Sequence, residues 1–272
     1  MFKEILQNTK ENTPLIHCIT NYVTVNDVAN TVLAIGASPI MSHEKKEVEE
    51  IVSISDALTI NIGTCDDNIS PSMRIAMQKA NDMDKPIVFD PVGSGASKYR
   101  TSLTKEFVNN YKIAVIRGNA SEISSFVEES DSTKGVDVSE SDTVTEDNLS
   151  QKIDFVKKAA LQYNTIIAMS GKIDLVTDGN KCYVIRNGNS MMKEVTGTGC
   201  MLSALTASLV AKNKNKLEAS VTAVLIMGIA GEIAKEKLKE DEGNSTYRNK
   251  LIDAIYNMTD AKIKEYAKYE IK

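Results

Sequence analysis

Short runs of consecutive apolar residues recur along the first two thirds of the chain. Between them lie longer stretches in which apolar positions return every three or four residues. "PLIHCI", "SPIM", "ALTINIG", "KPIVFDPVG" and "KIAVIRG" have the length and continuity of buried strands. "NDVANTVLAIG" and "SPSMRIAMQKANDM" have the spacing of helices with one apolar face. Strand and helix in alternation predict parallel strands joined by crossover helices, an α/β architecture with a mostly parallel central sheet. The pattern then changes. "TIIAMSG", "IDLVTDG" and "KCYVIRNG" come in quick succession, and Asp178-Gly179 marks a hairpin turn. Beyond them the pattern predicts only helices, over 198–213, 216–240 and 244–267.

No linker and no internal repeat interrupts the order, so the 272 residues are expected to form one domain, 1–272. One biased segment, "EESDSTKGVDVSESDTVTED" (128–147), is acidic and rich in Ser and Thr. It is expected to be a solvated loop or short excursion before the helix "LSQKIDFVKKAALQ". A hydrophobic content of 42% supplies a substantial core. The net charge of −5, with no Lys/Arg run, argues against a nucleic-acid partner. Cys18, Cys65, Cys182 and Cys200 are far apart and form no CxxC pair, which predicts reduced thiols in a cytoplasmic protein rather than a zinc site or a disulfide framework. The start "MFKEILQNTKENTP" is too polar for a signal peptide. The apolar run "SVTAVLIMGIAG" is too short to span a bilayer and stops at Glu232, so it reads as a buried core helix and no membrane partner is expected.

Open α/β sheets bind ligands beyond the C-terminal ends of their strands, which directs attention to the residues just past each strand. Met41 comes after "SPI", "DPVGSG" after "VF", "RGNASEI" after "AVI" and "SGK" after "IIAM". Asp90, Arg117, Glu122 and Ser170 are thereby predicted to gather at one rim. Beside them, "EVTGTGCMLSALTASLV" runs from a Thr/Gly-rich turn into an apolar helix. Gly197, Thr198, Gly199 and Cys200 sit at that helix start, where backbone N–H groups lack partners and carry partial positive charge. This is an anion site with the parts of a magnesium–nucleotide centre: a guanidinium for phosphate oxygens, carboxylates for Mg²⁺ directly or through water, and helix N–H groups for a transferred phosphoryl. Neither GxxxxGK[ST] nor GxGxxG is present, so the common nucleotide folds are not signalled.

"TNYVTVNDVANTVLAIGASPIM", "FDPVGSGAS", "IRGNASEI" and "VTGTGCMLSA" together resemble hydroxyethylthiazole kinase, a ribokinase-like family, over nearly the whole chain and in the same order. The resemblance implies a three-layer α/β/α ribokinase-like fold, ATP as co-substrate, Mg²⁺, and phosphorylation of the primary alcohol of 4-methyl-5-(2-hydroxyethyl)thiazole in thiamine salvage. It also implies a homotrimer with each site at a subunit boundary. Residue by residue, it places Met41 and Gly197 against the thiazole, with Asn21 a further polar contact. It places Arg117 and Ser170 on ATP, with Asn119 opening the NxxE motif, and Asp90 and Glu122 near magnesium. Ser170 stands where Thr is commoner in the family, and keeps the hydroxyl. Cys200 falls where many ribokinase relatives carry a catalytic Asp.

A thiol has an ordinary pKa near ~8.5, which a helix N-terminus lowers and burial raises, so the sequence leaves the direction of its shift open. The loose transition state of phosphoryl transfer asks little of a base until late. The expectation is therefore that the amides of Gly197, Thr198, Gly199 and Cys200 supply most of the stabilisation, while Cys200 orients the hydroxyl and takes its proton late. Duller readings stand beside these. The GTGC turn is also a tight helix start with a buried Cys, Asp90 a turn cap, Glu122 part of a capping box with Asn119, Arg117 a surface ion pair and Met41 core. His17 reads as a core histidine and His43 as solvated. Related alternatives are a hydroxymethylpyrimidine or pyridoxal kinase, a nicotinamide-nucleotide hydrate dehydratase, and a non-catalytic nucleotide sensor.

Overall fold

Leu15–Ile19 (β1), Ser38–Ile40 (β2), Ala57–Asn61 (β3), Ile87–Asp90 (β4), Val115–Asn119 (β5) and Ile166–Ser170 (β6) pair in parallel in the order β2-β1-β3-β4-β5-β6. The structure is a computed structural model that describes residues 2–127 and 143–272. Asp174–Thr177 (β7), Cys182–Ile185 (β8) and Tyr269–Ile271 (β9) extend the sheet antiparallel, giving nine strands among the described residues.

The strands are continuous apolar runs because both faces are covered. Val88, Val115, Ile166, Ala168 and Val176 face one core, while Ile87, Phe89, Ile116, Ile167, Met169 and Leu175 face the other. The first core is closed by α1 (Phe2–Asn12), α2 (Val25–Ala34), α8 (Thr198–Lys212), α9 (Lys216–Glu236), α10 (Asn244–Tyr256) and α11 (Asp260–Tyr266). The second is closed by α3 (Val48–Ile54), α4 (Ile69–Asp82), α5 (Lys98–Asn110), α6 (Ala120–Ser124) and α7 (Leu149–Tyr163). The result is the three-layer α/β/α arrangement, with a mostly parallel sheet, that was expected.

α8 and α9 are apolar on every side and almost wholly buried, as a helix of that composition must be. The expected core helix "SVTAVLIMGIAG" lies within α9. α8 packs across β1, β3 and β4, which brings its N-terminus to the C-terminal rim of the parallel strands.

Three expectations need correction. The stretch 244–267 is two helices, because the chain breaks at 257–259: Met258 plugs the core, and Thr259 caps α11 by accepting from the Lys262 N–H. The middle helix ends at Glu236 rather than near 240, and Glu242 accepts from the Lys239 N–H in the turn after it. Finally, the chain beyond "KCYVIRNG" is not helical throughout. Tyr269–Ile271 returns as an edge strand on β8, held further by Lys272 N to Cys182 O at 2.8 Å. The Asp178-Gly179 hairpin joins Thr177 to Cys182, with Gly179 at φ +94° and Asp178 Oδ1 accepting from the Asn180 and Lys181 N–H groups. Residues 128–142 of the expected acidic excursion lie outside the described residues.

Candidate active site

The rim is assembled by strand register. Asn61 at the end of β3 stands opposite Asp90 at the end of β4, and Asn119 at the end of β5 stands opposite Ser170 at the end of β6. Asp90, Arg117 and Ser170 come together as expected. Arg117 Nη2 donates to Ser170 Oγ at 2.6 Å, and Arg117 Nη1 lies 3.7 Å from Asp90 Oδ2. Arg117 is thus not a surface ion pair: its side chain is 12% exposed, and its buried Nε has no partner. Asp174, half-buried on β7, accepts from the Gly171 N–H at 2.8 Å and steadies the turn that carries Ser170.

Asp90 is wholly buried. Its Oδ2 accepts from Ser203 Oγ at 2.6 Å and Asn61 Nδ2 at 3.0 Å, while its Oδ1 is buried with no partner. Burial pushes the carboxyl up to about 6, opposed by Arg117 and the two hydrogen bonds and reinforced by Glu122. An acceptor left open in a protein interior is costly unless something occupies it, so this oxygen fits a cation bound together with phosphate and water. Among the described residues no group of three or more His, Cys, Asp or Glu is placed to hold a metal ion on its own.

Glu122 and Asn119 form a complete capping box: the Asn119 N–H donates to Glu122 Oε2 and the Glu122 N–H to Asn119 Oδ1, each at 2.8 Å. The other carboxylate oxygen of Glu122, Oε1, accepts from the Gly93 N–H at 2.9 Å, tying the "DPVGSG" loop to the rim.

At α8, the first helical hydrogen bond is Met201 N to Gly197 O at 2.8 Å. The N–H groups of Thr198, Gly199 and Cys200 precede it, and no side chain caps them. Gly197 has φ +87°, and a Cβ there would overlap the Thr24 side chain. Gly199 leaves room for the Arg117 guanidinium, whose Cζ would lie 3.0 Å from an added Cβ. The two glycines therefore do different jobs, one for backbone conformation and one for close approach by the arginine.

Cys200 Sγ accepts from Asn21 Nδ2 at 3.2 Å, so Asn21 and the thiol share one end of the rim. Burial chiefly, and then Asp90, raise the Cys200 thiol above its ordinary range, outweighing hydrogen bonds from Thr24, Asn21 and Asn61. Of the two opposed influences on this thiol, the helix N-terminus and burial, burial wins and holds the group neutral. Met41, just past β2, is half-buried and packs against the first core. His17 is fully buried with Nε2 2.9 Å from Ser42 O, and His43 is exposed. The four cysteines are free.

Sequence reasoning missed Asn61 and Ser203. Asn61 had a readable signal, a polar residue closing the apolar strand "ALTIN". Ser203 lies one helical turn beyond Gly199 inside an apolar helix, and only the packing of α8 on β4 reveals its role.

The sequence model of the hydroxyethylthiazole kinase family matches residues 6–261. Hydroxyethylthiazole kinase of Clostridium acetobutylicum is 47% identical over 271 residues, 99% of each chain. The solved hydroxyethylthiazole kinase protein from Pyrococcus horikoshii OT3 superposes with a TM-score of 0.88 at 37% identity, over 100% of this chain and 98% of that one. A ribokinase-like superfamily protein from Enterococcus faecalis, 12% identical with a TM-score of 0.63 over 93% of each chain, shares the fold alone.

Proposed function

The chain belongs to the hydroxyethylthiazole kinase family and carries that family's kinase activity in thiamine thiazole salvage; we propose how its own residues perform the transfer from ATP to 4-methyl-5-(2-hydroxyethyl)thiazole. One observation carries the assignment. The uncapped N-terminus of α8, the Arg117 guanidinium and the unpartnered Oδ1 of Asp90 converge on one rim, with the Cys200 thiol beside them.

Arg117 and Ser170 bind phosphate oxygens of ATP, and Asn119 holds the turn that borders them. The N–H groups of Thr198, Gly199 and Cys200 face the phosphoryl in transit and stabilise the charge it carries. Gly197 shapes that turn and lets the acceptor approach. Asn21 and Met41 hold the acceptor, Asn21 by its amide near the hydroxyl and Met41 by apolar contact with the ring. Cys200, kept neutral by burial, orients the hydroxyl by hydrogen bonding; a neutral thiol does not accept the proton, which leaves late on an oxygen of the transferred phosphoryl. Asp90 directly, and Glu122 through water, would hold Mg²⁺. When bound, that ion neutralises phosphate charge.

The site is proposed to be completed in a homotrimer. Tyr22 and Val23, immediately after Asn21, are 75% and 59% exposed, and a neighbouring subunit would cover such residues. Free thiols and a buried α9 accord with a cytoplasmic enzyme.

The test is ADP release from Mg-ATP with 4-methyl-5-(2-hydroxyethyl)thiazole, hydroxymethylpyrimidine and pyridoxal in parallel. Turnover specific to the thiazole alcohol is expected. Equal or faster turnover of either other alcohol overturns the acceptor assignment.

A further inference from the structure

A line of buried side chains runs from the acceptor side of the rim to the nucleotide side. Asn21 Nδ2 donates to Cys200 Sγ at 3.2 Å and to Asn61 Oδ1 at 3.1 Å, and Asn61 Nδ2 donates to Asp90 Oδ2 at 3.0 Å. Asn21, Asn61 and Asp90 are 4%, 1% and 0% exposed, so water does not compete for these bonds.

The direction of the line is fixed by backbone. An amide side chain has two orientations that differ only in its hydrogen-bond partners, but a backbone N–H can only donate. The Thr24 N–H donates to Asn21 Oδ1 at 3.0 Å, and the Gly63 N–H donates to Asn61 Oδ1 at 2.9 Å. Each amide is therefore locked with its NH₂ group toward the line. Turning Asn61 over would set two donors against the Gly63 N–H and its carbonyl against the Asp90 carboxylate. Packing locks it further, because even a Cβ on Gly63 would stand 2.9 Å from Asn61 Oδ1 and 3.1 Å from Asn21 Nδ2.

Asn61 stands between the Cys200 thiol, to which it also hydrogen-bonds, and the Asp90 carboxylate, and every bond in the line passes through it or through the amide it holds. We infer that Asn61 is a positioning residue that couples the two halves of the site, so that nucleotide at the Asp90 end tightens binding of the alcohol at the Cys200 end. The inference rests on the proposed function. Coupling of this kind is reciprocal and measurable as a ratio of affinities.

The experiment is calorimetric binding of 4-methyl-5-(2-hydroxyethyl)thiazole to the full chain, alone and with saturating Mg-ADP. In the native protein the two dissociation constants should differ by about fivefold or more, within the usual range of site coupling. In Asn61→Leu the ratio should fall to within about twofold of one while ADP still binds, since an apolar side chain cannot hold Asn21 and Asp90 together. Asn61→Ser, with a hydroxyl too short to bridge the line, should also lose the coupling and serves if the Leu variant does not fold. A kinetic cycle adds a second readout. Asn61→Leu should lower kcat by about 10- to 100-fold in the native background and by less than about threefold beside Cys200→Ala, because the residues act as a unit. A ratio of one in the native protein, a ratio retained in the variants, or equal kinetic losses in both backgrounds overturns the coupling role. A native protein that binds Mg-ADP but no thiazole alcohol overturns the acceptor assignment itself, and the coupling with it.

Discussion

Asp90→Asn isolates what burial does to the central carboxylate. The native group is fully buried and titrates at about 6, against an ordinary 3.8. A folded-state pKa above the unfolded one means that the folded protein holds the proton more tightly, so its stabilising effect is complete below the unfolded value and disappears as pH rises through about 6. A shift of about two units at ~1.4 kcal/mol per unit corresponds to a loss of about 3 kcal/mol. Asparagine does not titrate, so it removes this dependence. The assay is urea unfolding of the apo protein and of Asp90→Asn across about pH 4 to 8, in chelator. Subtracting the two curves cancels the other titrating groups, and any constant effect of the amide, including the orphaning of Arg117, appears as an offset. The native protein should lose about 2.5 kcal/mol relative to the variant over that range, the rest of the ~3 kcal/mol lying below about pH 4, and most of the loss should be complete by about pH 6.5. A flat difference would mean that Arg117, Ser203 and Asn61 outweigh desolvation, and would refute the reasoning.

The glycines and Glu122 give further tests. Gly197→Ala should destabilise the fold by about 2 kcal/mol or more, from its positive φ and the overlap with Thr24; thermal unfolding checks it, and Thr24→Ser should restore part of the loss by removing the methyl. Gly199→Ala would push the Arg117 guanidinium off Ser170 and Asp90, so it should cost about 1–3 kcal/mol in urea unfolding and raise KM for ATP by about tenfold in steady-state kinetics. Glu122→Gln keeps the capping box but sets its NH₂ against the Gly93 N–H, so thermal unfolding should show a loss of about 1–3 kcal/mol while the Mg²⁺ concentration for half-maximal rate rises several-fold.

The parts of this architecture that depend on local pattern were legible, and those that depend on long-range packing were not. Apolar runs located the six parallel strands and the hairpin after them because both sheet faces are covered and each run is continuous. β9 escaped because Tyr269–Ile271 is three residues long and owes its strand conformation to β8, more than 80 positions earlier in sequence. The break before α11 escaped because Met258 keeps the apolar spacing going between the end of α10 at Tyr256 and the cap of α11 at Thr259. The same distinction governs the site. Asp90 and Ser170, which close β4 and β6, and Arg117, two residues before the end of β5, were found by asking which residues follow the apolar run of each strand. The bond from Asn21 to Cys200 joins residues 179 apart in sequence and depends on where α8 packs, which no local pattern encodes. The direction of the Cys200 shift was likewise set by burial, a property of the folded protein.

The central claim is that the amides at the start of α8, rather than a strong base, provide most of the stabilisation in phosphoryl transfer. Single-turnover rates of ADP formation with the thiazole alcohol, for the native protein, Cys200→Ala and Cys200→Asp, test it most directly. If the amides dominate, Cys200→Asp stays active and Cys200→Ala loses about 10- to 100-fold while still far exceeding the uncatalysed rate. Loss of all turnover in Cys200→Ala, or an inactive Cys200→Asp that folds and binds ATP normally, would contradict it.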